Sequence, residues 1–354
     1  MTMIFNPDKI LPMVSACAAL AERNTNKEAL RGIAVQGRCE RFAATDLETS
    51  LVSADFRWDQ EWILVPAGKL LGALKALGDQ EAEWMVGEVA LTIRAPSARF
   101  TLPLLPKGDY PHPEPGKGAD VIQPVATDLI EALEKVACCC ATESARYTMT
   151  GIHLDKGKAI ATDGRRLAVA EIAKEIPLRE HPSAVIPSKI LGTLKAVFGD
   201  RDKLTLAVAI SPTAVDFIGG DVIVTTRQIE GRFPEYAAIM PKIIAHPVLA
   251  MSGAILEALR RVGFMVAKES SKIDLKFSPG TLTLATNNDE GGDASAQVDF
   301  EWKEKPLTMS VNPKFLTEIL RGAGSGLITV GVNGLSKPLV ITAEGFQGLI
   351  MPMA

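Results

Sequence analysis

The sequence predicts an α+β protein built from three repeats of one plan, each with two helices laid on antiparallel sheet. Three observations lead there. Amphipathic segments of similar design open three stretches of the chain; each is followed by a phrase in which Ala-Thr precedes Asp or Asn; and each phrase is followed by a strand that runs into a second helix.

The opening segments are NPDKILPMVSACAALAER (6–23), ATDLIEALEKVACCCATES (126–144) and SGAILEALRRVGFMVAKES (252–270). Leu129, Ile130, Leu133 and Val136 recur at helical spacing, as do Ile255, Leu256, Leu259 and Val262. Thr127 or Asp128, and Ser252, are expected as N-caps, because their side-chain oxygens can accept from unpaired N–H groups of the first turn. The phrases are FAATDLETSL (42–51), AIATDGRRLA (159–168) and LTLATNNDEG (282–291), which makes Thr45, Thr162 and Thr286 equivalent.

The strand-to-helix passages are WILVPAGKLLGALKALGD (62–79), SAVIPSKILGTLKAVFGD (183–200) and LTMSVNPKFLTEILRGAG (307–324). A proline near the first helical turn suits its fixed φ and missing donor. Strands close each repeat, about eight per repeat in all. Alternation such as Val215-Asp216-Phe217 predicts a strand with one buried face and Asp216 on the other. Proline- and glycine-rich stretches at YPHPEPGKGAD (110–120) and PKIIAHP (241–247) place the domains at 1–117, 118–244 and 245–354.

Composition narrows the function. The chain has 354 residues, 47% hydrophobic and 23% charged, enough for several cores. No apolar run reaches the ~18 residues that span a bilayer. The start MTMIFNPDKI has no basic stretch followed by an apolar one, so a cytoplasmic location is expected. A net charge of −4 excludes a chain coated in basic residues, yet basic residues outnumber acidic ones on the assigned helices. The net acidity therefore does not exclude nucleic acid, because the distribution of charge matters more than its total. Only 5% of residues are aromatic, which argues against stacking platforms for single strands and for phosphate contacts alone.

No metal or cofactor is expected. Cys17, Cys39, Cys138, Cys139 and Cys140 contain no CxxC, and adjacent cysteines on a helix point in different directions, so they read as free thiols. His112, His153, His181 and His246 are scattered without a ligand spacing.

The phrase ATDGRRLA admits two readings. As an active site, Asp163 would be a nucleophile or metal ligand and Arg165 and Arg166 phosphate clamps, giving a phosphotransferase or hydrolase. That chemistry needs a second carboxylate, a base or a glycine-rich phosphate loop, and the chain has no Walker-type loop, GxSxG or HExxH. Asp46 and Asp163 are repeat equivalents, which points to a shared turn in which the carboxylate bonds nearby backbone N–H groups.

The order ATDLE, ATDGRRLA, GRFPEYAAIMP and a closing MPM resembles the bacterial sliding clamp family, the beta subunit of DNA polymerase III, over nearly the whole chain. The resemblance implies a non-enzymatic processivity factor: three domains per chain joined head to tail as a homodimer, six domains closing a ring around duplex DNA. It implies partners in the polymerase alpha subunit, the clamp loader and other proteins that insert short peptides into a pocket. Carried onto matching positions, the pocket comprises Arg146, Met149, Thr162, Gly164, Arg165, Arg166, Leu167, Pro234, Ile239, Asn312, Phe315, Leu349, Ile350, Met351, Pro352 and Met353. Methionines adapt to varied apolar partners, and a rim arginine can bond the peptide.

Arg23, Lys69, Lys75, Lys189 and Lys195 are expected near the DNA backbone, and Arg99, Phe100 and Leu102 are expected to meet Met265 and Val266 of a second copy. Three departures bear on peptide preference. Arg165 stands where the family often has histidine, Ala238 where some members carry a basic residue, and the chain stops at Ala354 just after MPM. A divergent accessory copy serving other partners is the alternative reading within the family.

Overall fold

The computed structural model describes residues 2–21, 26–37, 41–113, 120–122, 126–143, 146–172, 183–199, 204–241, 243–266, 272–288 and 292–353. Among them one order of elements occurs three times. The first pass is β1 (Thr2–Phe5), α1 (Pro7–Leu20), β2 (Gly32–Gln36), β3 (Arg41–Thr45), β4 (Thr49–Ser53), β5 (Trp62–Pro66), α2 (Ala67–Leu77), β6 (Ala82–Val86), β7 (Ala90–Arg94) and β8 (Arg99–Pro103). The second is β9 (Asp120–Ile122), α3 (Ala126–Ala137), β10 (Gly151–Asp155), β11 (Lys158–Thr162), β12 (Arg166–Glu171), β13 (Ala184–Pro187), α4 (Ile190–Phe198), β14 (Ala207–Ile210), β15 (Ala214–Gly219) and β16 (Val222–Arg227). The third is β17 (Pro247–Met251), α5 (Ser252–Gly263), β18 (Ile273–Ser278), β19 (Thr281–Asn288), β20 (Gly292–Asp299), β21 (Leu307–Val311), α6 (Pro313–Gly322), β22 (Leu327–Val332), β23 (Leu339–Ala343) and β24 (Phe346–Ile350).

Two helices start on a side-chain cap followed by proline. Asn6 Oδ1 accepts from the Asp8 N–H at 2.9 Å ahead of α1, and Asn312 Oδ1 accepts from the Lys314 and Phe315 N–H groups ahead of α6. The expected caps of the other opening helices are not caps. Thr127 and Asp128 lie inside the first turn of α3. Ser252 is the first residue of α5, because β17 runs straight into the helix and leaves Met251 at the cap position. The Ser252 hydroxyl instead donates to the Leu320 carbonyl at 3.2 Å, a fully buried bond between α5 and α6.

Contacts gather the chain into two compact units, Met1–Ile130 with Glu180–Gln228, and Glu131–Arg179 with Ile229–Ala354. In the first unit α1 packs on α2 and α4, above a sheet of order β5-β2-β3-β4-β16-β15-β14-β9; β1-β6-β7-β8 forms a smaller sheet. In the second, α5 packs on α6, beside a sheet that runs β10-β11-β12-β24-β23-β22-β17 and a smaller one of order β20-β19-β18-β21. The middle repeat divides because its strands join two different neighbours. β16 pairs antiparallel with β4, from Val222↔Ser53 to Thr226↔Thr49, and β12 pairs antiparallel with β24, from Arg166↔Ile350 to Ala170↔Phe346.

Val14, Leu51, Leu70, Leu74 and Val224 are fully buried in the first unit, and Leu133, Ile160, Ile319, Val340 and Ile350 in the second. Each such side chain contributes about 1.5–3 kcal/mol by leaving water. Gly348 lets α6 settle on β24: a Cβ there would lie 2.4 Å from Ile319 Cγ2. Asp216, expected on a solvent face, is 1% exposed, and the Thr225 hydroxyl on the adjacent strand donates to it at 2.7 Å. A hydrogen-bond partner makes that burial tolerable.

Candidate functional site

Two turns carry the same hydrogen bonds. Asp46 Oδ1 accepts from the Glu48 and Thr49 N–H groups, at 3.0 and 2.7 Å, while the Thr45 hydroxyl donates to the Thr49 carbonyl and accepts from the Leu47 N–H. Asp163 Oδ1 accepts from the Arg165 and Arg166 N–H groups at 2.9 and 3.0 Å, while the Thr162 hydroxyl donates to the Arg166 carbonyl and accepts from the Gly164 N–H. Both turns need a left-handed third residue, which is Gly164 at φ 86° in one and Leu47 at φ 77° in the other. Asp163 Oδ2 accepts from Arg166 Nε at 2.9 Å, so both carboxylate oxygens are engaged in building the turn. Asp163 thus does for its turn what Asp46 does for the other, which favours the structural reading of ATDGRR over the enzymatic one.

Arg166 is the hub of the second turn. It is 7% exposed, its Nη1 donates to Glu318 on α6, its Nη2 donates to the Cys138 carbonyl, and its guanidinium carbon stands 4.2 Å over the Phe315 ring. Burial pulls its pKa down, but the Glu318 hydrogen bond and the surrounding negative groups outweigh that and leave it raised. The side chain therefore stays charged. Neither Glu318 nor the Cys138 carbonyl was expected at this site from sequence. Glu318 was within reach, since it lies three residues after Phe315 and so shares its helix face. The Cys138 carbonyl left no such trace.

The C-terminal segment is pinned at two points beside this turn. The Met351 N–H donates to the Arg165 carbonyl at 2.9 Å, and the Met353 N–H donates to the Ser310 carbonyl on β21 at 2.8 Å. Leu167 and Leu349 pair directly across β12 and β24. The RFPEY segment is held from the other side. The Thr148 hydroxyl donates to the Arg232 carbonyl, Phe233 stacks on His153 with centroids 4.6 Å apart, and the Tyr236 hydroxyl donates to Asp155 at 3.1 Å. Burial, then the Asp155 charge, pushes the Tyr236 pKa up to about 12.

These ties gather the expected pocket residues on one unit of the fold. Met149, Thr162, Arg166, Leu167, Leu349 and Ile350 are buried, and a Cβ on Gly164 would touch the Met149 methyl at 3.4 Å. Pro234, Asn312, Phe315 and Pro352 are half-buried, while Arg146, Gly164, Arg165, Ile239, Met351 and Met353 are exposed. Asn312 has its amide oxygen committed to capping α6, which leaves only its NH₂ for a ligand. Tyr147, beside Arg146, is 75% exposed, an aromatic that sequence reasoning passed over despite its neighbours. The buried members are apolar apart from Thr162 and Arg166, and the exposed ones include two arginines, Arg146 and Arg165, and two methionines, Met351 and Met353. Such a surface suits a short apolar peptide with polar backbone contacts.

The other expected sites fare differently. Lys69, Lys75 and Lys195 are exposed on α2 and α4. Lys189 is paired with Glu48 at 2.5 Å and Asp46 at 3.5 Å, so the Asp46 turn offsets its charge. Arg23 lies outside the described residues. β8 is an edge strand on which Arg99 is exposed and Phe100 half-buried, but Leu102 is 6% exposed and already packed within its own unit. Met265 and Val266 are half-buried just past α5, where the Met265 methyl lies 2.3 Å from the position of a Cβ on Gly292 of β20. Cys17, Cys138, Cys139 and Cys140 are free thiols as expected, and Cys39 lies outside the described residues; only the directions of the adjacent pair differ from expectation. Cys138, Cys139 and Cys140 fall in a turn beyond the end of α3, and Cys138 Sγ and Cys139 Sγ meet at 3.9 Å instead of diverging as they would on a helix. No described helix is long and apolar enough to cross a membrane.

Comparison with known proteins bears on the whole chain. Family models match residues 1–114 as the N-terminal domain, 125–235 as the central domain and 237–354 as the C-terminal domain of the DNA polymerase III beta subunit. Curated relatives include the beta sliding clamp of Pseudomonas aeruginosa, 26% identical with 98% of both chains covered. The beta sliding clamp of Caulobacter vibrioides is 26% identical, with 88% of this chain and 87% of that one covered. Among solved structures, the DNA polymerase III subunit beta of Pseudomonas aeruginosa superposes with a TM-score of 0.91 at 23% identity over 100% of both chains. The Caulobacter crescentus polymerase III beta structure reaches 0.89 at 25% identity, again over 100% of both.

Proposed function

This chain belongs to the DNA polymerase III beta subunit family, and on that premise we propose that it is a sliding clamp, a processivity factor that encircles duplex DNA and tethers a polymerase to it. It acts in the cytoplasm as a homodimer with domains 1–117, 118–244 and 245–354. It catalyses no reaction.

One observation carries the reading. Consecutive repeats join by the same antiparallel strand pairing, β4 with β16 and β12 with β24. The third pairing of that kind has both halves and no partner: among the described residues β8 pairs only with β7, and β20 only with β19. Unpaired edges invite another chain. A second copy supplies β20 to β8 and β8 to β20, two equal junctions related by a two-fold axis, which closes a ring of six repeats. Phe100 then gains the cover that an edge aromatic needs, and Met265 lies beside the start of β20, in keeping with Arg99, Phe100, Met265 and Val266 at the interface.

Lys69, Lys75 and Lys195, together with Arg23, would touch phosphates weakly and without sequence preference, with Lys189 contributing less because of Asp46 and Glu48. Weak contacts serve a ring well, since topology retains the DNA and low friction lets it slide. The pocket around Arg166 captures peptides from the polymerase alpha subunit, the clamp loader and other partners. Arg165, exposed on the rim, favours a peptide preference of its own, as a divergent accessory copy would have.

A cysteine at Thr101 on β8, combined in turn with one at Ala294, Ser295 or Ala296 on β20, tests the closure. One combination should form a disulfide between chains on mild oxidation and yield a covalent dimer, because opposed Cα atoms in a ladder lie about 4.5–5.5 Å apart. Failure of all three removes the proposed junction.

A further inference from the structure

The cysteine run at the end of α3 has a place in the pocket that the binding function does not use. Cys138 Sγ and Cys139 Sγ are 3.9 Å apart, and the Cys138 carbonyl, which belongs to the peptide group linking the two, is the oxygen that Arg166 Nη2 holds. The same peptide group supplies the Cys139 N–H that donates to the Val136 carbonyl at 2.8 Å. Cys139 is fully buried, whereas Cys138 is half-buried and within a small oxidant's reach. The two thiols are also electrically unlike. A hydrogen bond from the Cys139 thiol, aided by the Arg166 charge, holds the Cys138 thiol below its ordinary pKa, and that same bond together with burial holds Cys139 above its own. One sulfur is thus prepared to attack and the other waits as the resolving thiol.

We infer that Cys138 and Cys139 are a hydroperoxide-responsive dithiol whose closure to a vicinal disulfide loosens Arg166 and weakens peptide capture. The regulatory half of this inference rests on the peptide-binding reading of the pocket. The chemistry balances with hydrogen peroxide as oxidant. The Cys138 thiolate attacks one peroxide oxygen, the O–O bond breaks, and hydroxide leaves a sulfenic acid on Cys138. Cys139 sulfur then attacks that sulfur, the S–O bond breaks, and water departs with the Cys139 proton. The dithiol loses two electrons and the peroxide gains them.

The mechanical consequence follows from the ring that forms. The peptide group between the two cysteines lies inside it, and the sulfurs must close from 3.9 Å to about 2.0 Å. That peptide group has to rotate, taking with it the carbonyl that anchors Arg166 and the N–H that ends α3. Arg166 keeps Asp163 and Glu318 but loses the third hold, and its stacking on Phe315 loosens.

The test uses the full-length dimer carrying Cys140→Ser, treated with hydrogen peroxide, alkylated and digested with trypsin. The fragment Val136–Arg146 contains both cysteines. It should lose two hydrogens, escape double alkylation, and recover with dithiothreitol. A fluorescein-labelled hexapeptide of apolar residues, chosen to match the apolar residues buried there, reports capture, which should weaken roughly tenfold on oxidation, the loss of about one charge-assisted hydrogen bond, and recover on reduction. Cys139→Ser should bind the probe as the parent does when reduced, accumulate a dimedone-reactive Cys138 under peroxide, and show little loss of capture. A parent chain that binds the probe but never forms the ring overturns the dithiol. A ring that forms without changing capture overturns the coupling to Arg166. A reduced chain that does not bind the probe overturns the pocket reading and the regulatory half with it, while the fragment mass still decides the thiol chemistry.

Discussion

Removing Arg166 tests the pocket's architecture most sharply. Its side chain is 6% exposed, against 16% for Asp163 and 23% for Glu318. Breaking a fully buried ion pair costs about 3–5 kcal/mol because a charge is stranded, whereas a surface pair is worth at most about 1 kcal/mol. The carboxylates here keep some water, so Arg166→Met should cost about 3 kcal/mol, including about 1 kcal/mol for the lost stacking on Phe315. Glu318→Leu should cost about 2 kcal/mol, since Arg166 retains Asp163 and the Cys138 carbonyl. The double variant strands neither of the two and should cost about 3 kcal/mol in place of the additive 5, a coupling of about 2 kcal/mol. Urea melts of the four proteins give these numbers, and polarisation of a labelled peptide should show capture weakened at least tenfold in each variant lacking Arg166. Additivity within about 0.5 kcal/mol would falsify the claim that Arg166 and Glu318 act as a unit.

Other consequences are as open to measurement. Leu47→Gly should stabilise the first unit by about 0.5 kcal/mol, because relief of left-handed strain worth about 1–2 kcal/mol exceeds the added freedom of the unfolded chain. A loss of more than about 1 kcal/mol on denaturant melts would show that the Leu47 side chain is needed there. Gly164→Leu, the converse change, should destabilise by about 1–2 kcal/mol and abolish peptide capture, since the new side chain meets Met149; retained capture would place the pocket elsewhere. Tyr236 titrates near 12 when folded and near 10 when unfolded, so its contribution is intact below about pH 10 and is lost as pH rises towards 12. Stability should therefore fall across that window in the parent and fall less in Tyr236→Phe; parallel curves would contradict the role given to the bond with Asp155.

The sequence made some layers of this molecule readable and hid others for physical reasons. Repetition was visible because each module must bury one helix face and one sheet face, and that requirement writes the same apolar spacing three times. The Asp46 and Asp163 turns were visible for a similar reason, since a carboxylate that closes a turn on its own backbone needs only local residues. Long-range partners were not. Arg166 meets Glu318 across 152 positions of chain, and nothing local to either residue announces the other. Asp216 was assigned to solvent from alternation, but alternation does not reveal a hydroxyl on the adjacent strand that makes burial affordable. Ser252 was expected to cap because of its chemistry, and a strand that enters the helix without a loop removed the geometry a cap needs. The cysteines were placed within a helical segment running to 144, but the helix ends at Ala137, just before the first of them, and the turn that follows brings two sulfurs together. The division of the middle repeat between two sheets likewise arose from pairing between distant strands, which carries no local signature.

The central claim is topological retention on DNA. With the ring loaded onto nicked circular duplex, the account predicts that the protein stays bound when salt is raised to screen phosphate contacts, and departs when a restriction enzyme cuts the circle. Loss from the intact circle at the same salt, or equal retention on circle and linear duplex, would contradict it.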